Sequence, residues 1–83
     1  METDIQKIKK IYLKYRQECY DQILKENSVN RIICVIREKN RAMNKEATEK
    51  NIPVKKDGFI ILFKKSLGKM GIPDELKKAM KYL

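Results

Sequence analysis

From Asp4 to Lys25 apolar side chains return at every third or fourth position, and neither glycine nor proline interrupts the run. Ile5, Ile8, Tyr12, Tyr15, Cys19 and Ile23 therefore share one stripe of an α-helix, while Lys7, Lys10, Lys14, Asp21 and Lys25 fall opposite. Thr3-Asp4-Ile5-Gln6 opens this run as a capping box, with the Thr3 hydroxyl facing the Gln6 amide and the Gln6 side chain reaching back. The spacing predicts a helix over residues 4–25.

Glu26-Asn27-Ser28 is a polar break with Ser28 as the next N-cap, and Val29, Ile32, Ile33, Ile36, Met43 and Ala47 mark a second stripe over residues 29–49. So short a connection folds the two helices back on each other as an antiparallel hairpin. Asn40 falls where this stripe calls for an apolar side chain; it is expected at the edge of the stripe and wet, because a buried amide needs partners.

Pro53 cannot donate a backbone hydrogen bond and disfavours helix at Ile52, so the second helix ends before it. Beyond it two readings compete. Phe59-Ile60-Ile61-Leu62-Phe63 follows Asp57-Gly58, which suits a β-hairpin spanning about 52–63 and hence an α+β fold. Phe59, Leu62, Phe63, Leu67 and Met70 nevertheless keep helical spacing, Asp57 suits an N-cap, and Gly71-Ile72 suits a helix stop. A helix over residues 58–70 is preferred, although Gly68 weakens it. Pro73 opens a last helix with Asp74 and Glu75 near its start and Lys77, Lys78 and Lys81 toward its end, matching the helix dipole; Leu76, Met80 and Leu83 face inward. The expected architecture is a single all-α domain of four helices over residues 1–83, without internal repeats.

Several functional classes are disfavoured by absence. No apolar run of about 18 residues is present, and Met1 leads into Glu2 and Asp4 rather than a signal peptide, so a cytoplasmic chain without a membrane role is expected. There is no histidine, which leaves no His-dependent base or Cys/His zinc site, and the two cysteines, Cys19 and Cys34, are too few for a zinc centre. The acids are scattered and Gly58, Gly68 and Gly71 form no phosphate loop. A non-enzyme with neither cofactor nor metal is expected.

The charge is what remains to explain: 20 Lys plus Arg against 11 Asp plus Glu give a net +9. Residues 1–49 carry 11 bases and 8 acids, a balance of +3, and residues 50–83 carry 9 bases and 3 acids, a balance of +6. Lys55, Lys56, Lys64, Lys65, Lys69, Lys77, Lys78 and Lys81 are thus the candidate phosphate-binding residues, joined by Arg37, Arg41 and Lys45, which form one row at intervals of four on the second helix. Lys55, Lys56, Lys64 and Lys65 also bracket the Phe59–Phe63 run as gatekeepers against aggregation would. Sixteen of the twenty bases are Lys, a point charge without the planar fork of Arg, which favours delocalised attraction over sequence readout. A helix-turn-helix over Asn44–Phe63 fits poorly, since its recognition helix would open on Gly58 and large apolar residues.

Two functions follow as expectations. The first is a small basic nucleic-acid-binding or regulatory protein held to DNA or RNA through phosphate contacts. The alternative is a helical adaptor or inhibitor that presents an apolar face to an acidic protein partner; Leu13, Tyr20 and Leu24, off the main stripe of the first helix, and the Phe59–Phe63 run would supply surplus apolar surface for it, although the preferred expectation is that the third and fourth helices cover these edges in a compact bundle. Either is compatible with a monomer or a homodimer. In the hairpin, Cys19 lies within its helix's stripe and Cys34 points away from its own, so no disulfide is expected, with Cys19 buried and Cys34 accessible.

Overall fold

The computed structural model describes residues 3–67 and 74–83. The chain is all-α: α1 (Asp4–Ile23), α2 (Val29–Glu49), α3 (Gly58–Leu67) and α4 (Asp74–Met80). Thr3 caps α1 in the reciprocal arrangement with Gln6 that the sequence announces. Ser28 occupies the N-cap of α2 but makes no side-chain cap bond. The first helix stops at Ile23, two residues early, where Lys25 and Glu26 donate to the carbonyls of Gln22 and Ile23 in a turn.

The stop of α2 has a local cause beyond Pro53. Asn51 takes a positive φ of 57°, a conformation asparagine tolerates better than most side chains. The Asn51 N–H then donates to Thr48 O and the Ile52 N–H to Ala47 O at 2.8 Å. This is the Schellman closure, and Ile52 and Ala47, which flank it, are both buried.

α1 and α2 pack as the antiparallel hairpin, and both α3 and α4 pack on α2. Among the described residues there is no strand, so the β-hairpin alternative at 52–63 is replaced by a loop over residues 50–57 and then α3. That loop is also longer than the turn of a helix-turn-helix. Pro73 and the Gly68 and Gly71-Ile72 signals lie outside the described residues. The core is drawn from all four helices: Tyr12, Cys19 and Ile23 of α1; Ile32, Ile36, Met43 and Ala47 of α2; Phe59 and Phe63 of α3; Leu76 and Ala79 of α4.

Ile5 departs from expectation, for it is 80% exposed. The hairpin register explains this. Lys14 meets Glu46 and Glu18 meets Lys39, so stepping back along α1 to Ile5 runs past the end of α2 at Glu49. At Tyr20 the preferred expectation, that a later helix covers this edge of α1, is met. Tyr20 is covered by Phe63, with ring centroids 5.3 Å apart, whereas Leu24 beside it stays exposed.

Candidate functional site

α3 has two unlike sides. On its inner side Phe59 and Phe63 are fully buried and stacked at 5.4 Å, with Tyr12 tilted onto Phe59 at 5.6 Å. The hydroxyls of this aromatic group converge on Ser66. Its Oγ donates to Phe63 O at 2.9 Å and accepts from Tyr12 at 3.2 Å, with the Tyr20 hydroxyl at 3.5 Å. Burial raises the Tyr12 hydroxyl pKa, against the lowering effects of the Ser66 bond and the Arg16 charge.

Asn40 anchors the start of α3, and the expectation that it lies wet at the stripe edge is corrected: it is 7% exposed and bonded through both ends of its amide. Oδ1 accepts from the backbone N–H groups of Phe59 at 3.1 Å and Ile60 at 3.3 Å, and Nδ2 donates to Lys56 O at 3.0 Å. These are orphan donors of a first helical turn, which a residue such as Asp57 would ordinarily satisfy locally. Here a side chain of α2 caps α3 from outside. Asn44, one turn along α2, donates to the same Lys56 carbonyl at 2.6 Å.

The outer side of α3 is open. With the first half of α1 and the loop over residues 53–55 it bounds a groove of about 620 Å³. The walls and floor include Ile5, Ile8, Tyr12 and Leu13 of α1, Met43 of α2, Pro53 and Val54 of the loop, and Ile61 and Leu62 of α3. Leu13 and Ile61 are 40% and 41% exposed. Gly58 sits at this wall because a Cβ there would come within 3.3 Å of Val54 and 3.4 Å of Met43. Four cations line the groove as well: Lys9 and Arg16 from α1, Lys55 from the loop and Lys65 from α3, with Asp4 the one acid. Among the described residues Lys9, Lys55 and Lys65 pair with no acid, and Arg16 stacks over the Tyr12 ring at 5.7 Å.

The basic residues singled out from the sequence are distributed unevenly about this groove. Lys55 and Lys65 line it. Lys56 is exposed on the adjoining loop, its carbonyl held by Asn40 and Asn44. The Lys64 ammonium donates to the main-chain oxygen of Leu83 at 3.0 Å, and Arg37 reaches Tyr82 O at 3.5 Å. Arg41 and Lys45 are exposed on α2, Lys77 and Lys78 on α4, and Lys81 just after it. Lys78 and Lys81 line a second hollow with Val29, Asn30 and Tyr82. Fourteen residues of α2 separate Val29 from Met43, about 21 Å at the α-helical rise. Lys69 lies outside the described residues. Nothing in the sequence marks Lys9, Arg16 or Ile5 for the site; of the apolar residues it marks as surplus surface, Leu13, Ile61 and Leu62 line the groove, whereas Phe59 and Phe63 are buried on the inner side of α3.

On the solvent side of the α1–α2 contact, Glu46 accepts from Lys14 at 2.6 Å and Tyr15 at 3.0 Å, with Lys50 at 3.4 Å. The Lys14 hydrogen bond, foremost, holds the Glu46 carboxyl below the usual range. Burial, followed by the Glu46 bond, pushes the Tyr15 hydroxyl up. Both cysteines are free, Cys34 exposed and Cys19 buried, and burial raises the Cys19 thiol to about 12. Among the described residues no cluster of three metal-ligating side chains occurs, and no helix is long and apolar enough to cross a membrane.

No protein-family model, curated protein or solved structure matches the chain. Its own geometry is what bears on function.

Proposed function

We propose that the chain is a non-enzymatic interaction module whose groove between α1 and α3 binds an acidic segment of a partner protein. The observation that carries this reading is the pairing of an open apolar floor with four cations and a single acid around it. An apolar concavity of about 620 Å³ is of the size that binds ligands, and apolar surface left open in this way marks interaction sites. The ring of Lys and Arg selects for negative charge and, within a net +9, steers an acidic partner inward. A second copy of this chain is disfavoured by the same charge.

Binding to nucleic-acid phosphates is the second reading, favoured by the exposed Lys77, Lys78 and Lys81 that the groove does not use. Amide chemical-shift mapping separates the two. An acidic peptide bearing leucines should shift resonances in residues 4–16 and 53–65. A duplex DNA that bound at moderate salt, shifting α4 while the acidic peptide left the groove unmoved, would overturn the first reading in favour of the second.

A further inference from the structure

This inference rests on the protein-binding reading and concerns the form of the segment that fills the groove. Both long walls are helical, and among the described residues there is no strand edge to which an extended peptide could add by backbone pairing. Tyr12 is the one aromatic side chain in the lining, which is a poor match to the aromatic-lined grooves that grip polyproline segments. What remains among the common modes is a helix laid in a groove. The α1 wall from Asp4 to Arg16 is twelve residues long in rise, about 18 Å, and accommodates about three turns of a second helix.

The cations set the register. Lys9 and Arg16 stand seven residues apart on α1, so they lie on nearly the same face, about 10 Å apart along the axis. A helix running beside α1 presents its own residues j and j+7 at that same interval. Lys55 and Lys65 belong to the opposite wall. We infer that the groove takes a single amphipathic α-helix along α1, with acids at j and j+7 facing Lys9 and Arg16, an apolar stripe on Ile8, Leu13 and Ile61, and a further acid toward Lys55 and Lys65.

The test uses labelled synthetic peptides of about 14 residues and fluorescence anisotropy with the full chain. The first peptide carries leucines at i, i+3, i+4 and i+7 with glutamates at j and j+7; the second has a proline at its centre; the third replaces the two glutamates with lysines. The first should bind, and the second should bind at least about tenfold more weakly, since proline opposes a central helical turn by roughly a hundredfold. The double variant Lys9→Glu/Arg16→Glu should lose about tenfold for the first peptide and regain it for the third. Its unfolding midpoint is measured alongside to show that it folds; should it not, the single variant Lys9→Glu takes its place.

Equal binding of the first and second peptides would overturn the helical form while leaving the acidic-partner reading in place. A double variant that leaves the preference between glutamate and lysine peptides unchanged would overturn the register. Binding of none of the three by the native chain would overturn the inference together with the reading beneath it.

Discussion

The two sides of α3 use the same short apolar run in opposite ways. Phe59 and Phe63 face inward, where Tyr12 and Tyr20 cover them and the polar atoms that go down with them are paired through Ser66 and Asn40. Ile61 faces a groove bordered by Lys9, Arg16, Lys55 and Lys65. Inside, Ser66 and Asn40 pair the hydroxyls and amides that are buried with the rings, while the Asn44 Oδ1 stays buried without a partner. Outside, apolar surface stays open beside charges that water satisfies better than a closed interface would. The inner face carries stability, and the outer face stays open to solvent.

The largest effect should come from breaking the inner face. Phe59→Ala removes a fully buried ring that touches both Tyr12 and Phe63, at a cost of about 3–5 kcal/mol. That is a large fraction of the stability of a domain this size. Urea unfolding followed by circular dichroism should show the midpoint fall steeply. A loss below about 1 kcal/mol would mean that α3 is not seated as described.

Asn40→Ala is next. It strands the N–H groups of Phe59 and Ile60 and releases the Lys56 carbonyl, leaving that carbonyl only Asn44. Unpaired buried backbone groups make this worth about 2–3 kcal/mol. Asn40→Asp sharpens the point, since it keeps an acceptor for the two N–H groups but sets a carboxylate against the Lys56 carbonyl. Thiol labelling offers a second readout. Cys34 should react at the same rate in every variant, while Cys19, buried and with its thiol raised to about 12, reacts only on opening. If that opening is global, Asn40→Ala should speed Cys19 labelling roughly 30- to 150-fold.

A smaller effect is expected at Glu46, which ties α1 to α2 from the solvent side. The Lys14 hydrogen bond, foremost, depresses its carboxyl pKa in the folded chain below that of a free glutamate, about 4.3, so it contributes stability above the free value and loses it as pH falls through the depressed folded value. Glu46→Gln should therefore flatten the acid limb of the stability profile and leave the fold intact at neutral pH. An unchanged acid limb would show that Lys14 and Tyr15 do not hold this carboxylate in solution.

What could be read from the sequence divides along the same line. α2 runs over 29–49 as its spacing predicts, because period, polar break and stop are all local signals. The burial of Asn40 is not legible from its stripe, because its partners lie 16 to 20 residues downstream and no pattern within α2 announces them. The groove was half legible. Leu13 and the Phe59–Phe63 run stood out as surplus apolar surface, but that Ile5, Lys9 and Arg16 join them depends on the hairpin register, which brings α1 past the end of α2.

The smallest stability effect should come from the outer face, and it decides whether the groove is open in solution. Leu13 and Ile61 each keep about two-fifths of their surface exposed, so Leu13→Ser and Ile61→Ser forfeit only part of a side chain's transfer free energy. Each should cost about 1–2 kcal/mol, under the loss at Phe59, which lies two positions from Ile61 on the same helix. Both should nonetheless weaken the leucine-bearing acidic peptide, because the apolar floor supplies its contact area. If either serine variant instead destabilises the chain by more than about 3 kcal/mol, α3 has closed onto α1 and the two residues belong to the core. The contrast between the two sides of α3 would then vanish, and with it the site.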